Sequence, residues 1–266
     1  MKKTPEFRIA TIYRTLSLAW GVQCWWPAET PFEVVIGAIL VQNTAWTNAA
    51  KALHNLRAAG TLSLEGSRRT PLPELEQLIR SSGYFRQKAA RLKLVVEWLD
   101  QRYQGSLELM FRQPTGRLRE ELLELKGVGR ETADTLLLYA AQHEIFVVDA
   151  YTRRVFERHE LIAPSATYDE IRLLVESALL DTPDLGTQSS NSAMTVKLPR
   201  VHEPSVMSEM ARSGRAQTLN EMHALLVQVG KHYCHRGRAL CEECPLKFDL
   251  PKAAKGAGPL NREPFG

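Results

Sequence analysis

Apolar residues recur at helical spacing along most of this chain, and that periodicity constrains the fold more than any other feature. Phe32, Val35, Ile36, Ile39 and Leu40 follow the i, i+3, i+4, i+7, i+8 order that lines one helix face. Ala133, Leu136, Leu137, Ala140 and Ala141 repeat it, and shorter helical patterns run over 75–80, 87–102 and 118–125. Period-two alternation is scarce. Only Ile145-Phe146-Val147-Val148-Asp149 is a short β-branched run, and it reads equally as a buried extended connection. These patterns predict an all-α chain. With 44% hydrophobic and 24% charged residues among 266, it has enough apolar side chain for a real core.

Several classes fall away. The two lysines at the amino terminus are followed by no apolar run, so a secretory signal is not expected. No stretch approaches the ~20 apolar residues of a membrane helix. Four cysteines in a chain of this length do not make a disulfide scaffold. A bacterial cytoplasm, close to the nucleoid, is the expected compartment, or the nucleus in a eukaryote. The formal charge of +4 is compatible with a polyanionic partner without requiring one. Residues 183–215, with Gly186-Thr-Gln-Ser-Ser-Asn-Ser192 and then Pro199 and Pro204, read as a flexible insertion between helices. Residues 251–266 read as a disordered tail.

The segment Leu125-Lys126-Gly127-Val128-Gly129-Arg130 joins two helical patterns through two glycines. Such glycines permit positive φ and let main-chain N–H groups approach a ligand. At a helix amino terminus those groups and the helix dipole favour a phosphate. Val128 would plug the turn onto the core, and Arg130 could add a phosphate contact. A bare helix–helix turn with no ligand is the alternative on these residues alone. The tryptophans Trp25, Trp26 and Trp46 likewise read, by themselves, as core or core-edge residues.

Taken together, Leu125-Lys-Gly-Val-Gly-Arg-Glu-Thr-Ala-Asp-Thr, Val147-Val-Asp149-Ala-Tyr-Thr-Arg-Arg-Val, Trp25-Trp26-Pro27 and Gln42-Asn43-Thr44 resemble the helix-hairpin-helix-Gly/Pro-Asp DNA glycosylases of the endonuclease III superfamily. The 3-methyladenine DNA glycosylase branch resembles the chain most closely. The resemblance implies a two-domain, all-α fold: a helical barrel over 23–143, and a second domain from 1–22 and 144–250. The damaged base would enter a cleft between them. The implied partner is double-stranded DNA with a damaged base flipped out, bound by a monomer.

The same resemblance implies residue roles. Asp149 occupies the place of the essential aspartate, where a carboxylate stabilises an oxocarbenium-like sugar and activates water. Asp149 also suits the N-cap of the helix that follows. Glu131 stands where the bifunctional members carry the lysine that forms a Schiff base, so the chain is expected to lack efficient lyase activity. Ala38, four residues before Gln42, stands where adenine-mismatch glycosylases carry their acid. A pre-alkylated, cationic purine needs little acid help to leave. Trp26 and Trp46 would sandwich that base, gaining cation–π energy, with Trp25 beside them. Lys231 aligns with a pocket lysine or is a surface lysine. Gln42 would fill the gap left in the duplex. Asn43, Gly127, Val128, Gly129, Arg130 and Thr132 complete the expected DNA contacts.

Cys234-x6-Cys241-x2-Cys244 reproduces three ligands of the endonuclease III iron–sulfur motif, but position 250, where a fourth cysteine is due, is leucine. The expectations are a [4Fe–4S] cluster with Asp249 or His235 as substitute ligand, a three-Cys, one-His zinc site, or an empty remnant. The leading function is removal of alkylated purines such as 3-methyladenine. The alternatives are an endonuclease III-like glycosylase/lyase for oxidised pyrimidines and a non-catalytic DNA-binding protein.

Overall fold

The computed structural model describes residues 3–180 and 202–251. Its α-helices are α1 (Pro5–Trp20), α2 (Pro31–Leu40), α3 (Trp46–Ala58), α4 (Leu64–Arg69), α5 (Leu72–Leu78), α6 (Phe85–Tyr103), α7 (Leu107–Phe111), α8 (Thr115–Leu123), α9 (Arg130–Thr135), α10 (Ala150–Arg158), α11 (Tyr168–Ala178), α12 (Val206–Glu209) and α13 (Gly214–His232). No strand occurs among the described residues. The expected all-α class is what the chain adopts.

Polar side chains start many of these helices. Thr4, Thr30, Ser63, Ser106, Asp149, Thr167 and Ser213 each accept a first-turn amide, and Pro follows Thr4 and Thr30 at the first helical position. At α9 the helix runs straight into a π-turn over Leu136–Ala140, which is buried throughout.

The chain forms two compact units. One holds α1, α10, α11 and α13; the other runs from Trp26 to His143, holds α2–α9, and takes in Ser205–Met210 with α12. The first boundary therefore lies three residues beyond the expected residue 23. The reason is local: the Gln23 amide donates to Glu221 Oε2 at 2.9 Å, which ties it to α13. The expected insertion also needs correcting at its far end. Its residues 183–201 lie outside the described residues, as do 252–266 of the expected tail. Ser205–Met210, in contrast, is a capped helical turn on the second unit. The Met207 amide donates to the Ala28 carbonyl at 3.0 Å, and the Ser205 hydroxyl to the Trp26 carbonyl at 3.2 Å. Gly214 and Arg215 already belong to α13.

In the first unit α13 is buried from Ala216 to Gly230 apart from Gln217, with α1 and α10 packed on it. The run Ile145–Val148 is a buried extended connection without a strand partner. Side chains take the partner's place: Phe146 N–H donates to Glu176 Oε1 at 2.9 Å and Val148 N–H to the Tyr168 hydroxyl at 3.2 Å.

In the second unit the whole of α2 after Pro31 is buried. Lys88 is buried too. Its ammonium donates to the Leu40 carbonyl at 2.8 Å and the Ser82 carbonyl at 2.7 Å, while burial lowers it to about 8. Glu121 draws Arg102 at 3.0 Å and Arg117 at 3.1 Å, together with the Tyr103 hydroxyl. Arg102 first, and then Tyr103 and Arg117, hold that carboxyl down at about 2 against the cost of burial.

The sign of the resulting pH effect is fixed. A carboxylate whose native value lies below its unfolded value stabilises the fold above the unfolded value, and the contribution is lost as pH falls toward the native one. Urea midpoints should therefore drop for the wild type between pH 4.5 and about 2, and Glu121→Gln should flatten that part of the curve. Equal slopes in both proteins would show that Glu121 is not an acid-sensitive anchor.

Candidate active site and nucleic-acid interface

The hairpin belongs to the second unit. Past α8 the chain turns at Leu125, whose carbonyl accepts the Val128 amide at 2.9 Å. Gly127 has φ of 88°, so it uses the freedom expected of it; Gly129, at −93°, does not need to be glycine. Val128 and Thr132 are buried, whereas Gly127, Gly129, Arg130 and Glu131 are exposed. Beneath the turn, buried Asp134 of α9 accepts Arg119 of α8 through both oxygens, at 2.7 and 3.2 Å. That pair fixes one helix of the hairpin against the other.

Gln42 does not project freely. Its amide nitrogen donates to the Gly127 carbonyl at 3.2 Å and to the Thr132 hydroxyl at 2.8 Å, and its oxygen accepts Arg91 of α6. The Arg91 guanidinium fills the space beside Gly127, where an added Cβ would lie 2.0 Å from Arg91 Nε. Thr132 thus turns its hydroxyl toward Gln42. Asn43, next in the chain, is exposed in the left-handed region at φ 53°, a conformation asparagine tolerates better than most residues.

The aromatic group of this unit is Trp26, Trp46 and Tyr139. Trp26 is buried and Trp46 half-buried. Their rings meet edge to face, 5.1 Å between centroids at 87°, and Tyr139 lies 5.4 Å from Trp26 at 44°. With no base between them, the two tryptophans touch each other. Tyr139 reaches Trp26 from the π-turn, and such turns recur at functional sites. Ala38 is buried on α2.

The first unit carries Asp149, Trp25 and Lys231. Asp149 caps α10: its Oδ1 accepts the Thr152 amide at 2.7 Å. Its Oδ2 lies 3.7 Å from His223 Nε2 on α13. Burial acts to raise the Asp149 carboxyl, but His223 and the Thr152 amide outweigh it and hold it below the usual carboxylate range. The Lys231 ammonium lies 5.5 Å from the centre of the Trp25 ring; burial pulls it down and the Asp149 charge opposes that. His202 packs on Trp25 at 5.1 Å, and burial, then Lys231, lower it to about 4. An added Cβ at Gly230 would meet Tyr151 of α10 at 2.1 Å, so this glycine lets α13 approach that ring.

Sequence reasoning missed Arg91, Tyr139, Tyr151, His202 and His223. Tyr139 and His223 stand alone as a polar-tipped ring within an apolar helical stretch, which was the available signal. Arg91 looks like any exposed-face arginine.

The cysteine motif does not assemble a metal site. Among the described residues no group of three His, Cys, Asp or Glu side chains could hold a metal ion. Cys234 Sγ accepts Arg158 Nη1 at 2.7 Å, and burial pushes the Cys234 thiol up and the Cys244 thiol to about 11. Asp249, an expected substitute ligand, is engaged by Arg8 through both oxygens at 2.8 Å and by His159 at 3.0 Å. His235 is exposed. As placed here, Cys234, Cys241, Cys244, Asp249 and His235 do not form a ligand set for a [4Fe–4S] cluster or a zinc ion, and the iron–sulfur expectation is left without support.

Residues 36–179 match the HhH-GPD superfamily of base excision DNA repair proteins. A Methanocaldococcus jannaschii protein provisionally named a DNA repair glycosylase is 39% identical over 255 residues, covering 95% of this chain and 100% of its own length. Endonuclease III of Thermotoga maritima is 26% identical over 220 residues, covering 82% of this chain and 81% of the enzyme. Among solved structures, the H. pylori 3-methyladenine DNA glycosylase bound to 1,N6-ethenoadenine superposes with a TM-score of 0.66 and 28% identity, covering 85% of this chain and 97% of that one. A non-covalent endonuclease III–DNA complex gives 0.67 at 20% identity, covering 96% and 98%.

Crowding at the hairpin is testable. Gly127→Ala should lower unfolding stability by ~1–2 kcal/mol from its backbone conformation alone, and more because Arg91 must move. In the double variant with Arg91→Ala the losses should be less than additive. Urea denaturation of the four proteins measures this, and strict additivity would mean that the two residues do not compete for space.

Proposed function

The chain belongs to the HhH-GPD superfamily of base excision DNA repair proteins, and from that premise we propose that it is a monofunctional DNA glycosylase that hydrolyses the N-glycosidic bond of alkylated purines such as 3-methyladenine. The observation that carries this reading is Asp149, a carboxylate buried in its unit yet held below the usual carboxylate range. A departing purine leaves positive charge on the sugar. A fixed, dehydrated negative charge stabilises that charge far better than one in water, and the same oxygens can take a proton from the attacking water.

The exposed hairpin of Gly127–Arg130 would hold the backbone of double-stranded DNA, with main-chain N–H groups and Arg130 on phosphates. The target nucleotide would be flipped out of the duplex, bound by one copy of the chain. Trp26 and Trp46 offer electron-rich rings to a cationic base. Their edge-to-face contact requires half-buried Trp46 to swing before a base can stack on both. A methylated purine leaves as a neutral base, which makes the absence of an acid at Ala38 tolerable. Glu131 cannot form an imine, which supports hydrolysis by water over lyase chemistry. Gln42 would have to leave Arg91 and Thr132 to enter a duplex gap. The hairpin-bearing unit is the proposed DNA-gripping domain. No helix among the described residues is long and apolar enough to cross a membrane, and the site of action is proposed to be where chromosomal DNA is, in cytoplasm or nucleus.

The decisive experiment incubates the protein with methylated duplex DNA and follows free 3-methyladenine and 7-methylguanine. Wild type should release a methylated purine without nicking the strand, and Asp149→Asn should lose at least a hundredfold of that rate, within the range removed with one general acid–base or electrostatic group. Borohydride trapping of a protein–DNA adduct would instead establish the lyase reading. Release of an oxidised pyrimidine and no methylated purine would overturn the substrate assignment.

A further inference from the structure

We infer that His223 is a positioning residue for Asp149: it holds the Oδ2 oxygen of the buried carboxylate in its charged form while Thr152 holds Oδ1. The inference rests on the glycosylase reading of Asp149 and adds the residue that makes this carboxylate usable. Nothing in the sequence joins the two, which lie 74 positions apart.

The geometry divides the carboxylate between two helices. Oδ1 is taken by the first turn of α10, through the Thr152 amide at 2.7 Å. Oδ2 faces α13, where His223 Nε2 lies 3.7 Å away. Both side chains are nearly out of water, at 12% exposure for Asp149 and 6% for His223. A carboxylate so placed becomes neutral unless its charge is matched. The imidazole is itself fixed, edge-on to Trp25 and to Phe146, each 6.3 Å between centroids. α13 can bring it this close to α10 because Gly230 leaves space for Tyr151.

The other titratable groups facing this place do not supply the same contact. Lys231, two turns along α13, lies over Trp25, where its charge is felt by Asp149 but disfavoured by burial. Tyr151 on α10 is pushed up by burial and by Asp149, so it is a neutral phenol. His202 faces Trp25 and is neutral near pH 7. Arg154 of α10 is turned to the carbonyls of Cys234 at 2.6 Å and Gly230 at 3.3 Å. Arg236 acts on Tyr151. His223 is the imidazole aimed at the oxygen itself, and imidazole can serve either as an N–H donor or as a cation.

The test compares single-turnover base release across pH 5 to 9 for wild type, His223→Phe, His223→Gln and Asp149→Asn. Phenylalanine keeps the ring packing and removes the polar nitrogen. With its partner gone, burial governs Asp149, and the acid limb of the rate profile should move up by ~1–3 pH units, with the rate recovering at high pH. Glutamine keeps a donor and should shift the limb less. A loss that is the same at every pH would mean a merely structural role and overturn the inference. A second readout stands apart from activity and from the choice of substrate: the carbon-13 carboxyl signal of Asp149, assigned by its absence in Asp149→Asn, should titrate at higher pH in His223→Phe. An unchanged midpoint also overturns the inference. If Asp149→Asn still releases base at the wild-type rate, the glycosylase role of Asp149 falls instead, while the carboxyl titration continues to decide whether His223 holds its charge.

Discussion

A carboxylate removed from water must have each of its oxygens matched, and in the first unit two helices share that task for Asp149. One oxygen is satisfied cheaply, since a helix start presents free amides and Asp is among the best residues to receive them. The other requires a group from a different helix. That brings in α13, whose buried face carries His223 for the carboxylate and Gly230 for the close approach to α10. Capping and chemistry are not competing explanations of this residue. The cap immobilises the carboxylate that the proposed glycosylase chemistry uses.

The second unit applies the same logic to a backbone turn. Gly127 turns the chain with a positive φ, and the space left by its missing side chain is occupied by Arg91. Arg91 in turn fixes Gln42, which closes back onto Gly127 and Thr132. An exposed turn of this kind would be mobile if it relied on its own few bonds. Here it is braced from α6 and stapled below by Arg119 and Asp134.

The helical class, the hairpin and the start of α10 were legible because each is written in neighbouring residues: periodicity, two glycines, an aspartate before a helix. Partnerships across the chain were not. His223 is one histidine in an apolar stretch, and nothing local says which acid it meets. The tryptophan pair was legible as a pair, but its edge-to-face contact and the approach of Tyr139 to Trp26 come from packing between elements, which no neighbouring residues encode. The cysteine spacing does not say which partners its side chains take. Three thiols and an acid suggest a cluster in sequence, yet here Arg158 takes Cys234 while Arg8 and His159 take Asp249. Ion pairs and hydrogen bonds hold the segment where a cluster was expected.

That replacement has a consequence for how the chain acquires its structure. Arg8 and Asp249 are separated by 241 positions, and α1 packs on α13. During synthesis the unit from Trp26 to His143 has nearly all its residues long before α13 emerges, so it can gather its core early. α1 must wait for α13, which follows it by most of the described chain. The charge on Asp149 is then matched late, when His223 arrives, and a truncated chain would carry its hairpin but an unmatched carboxylate.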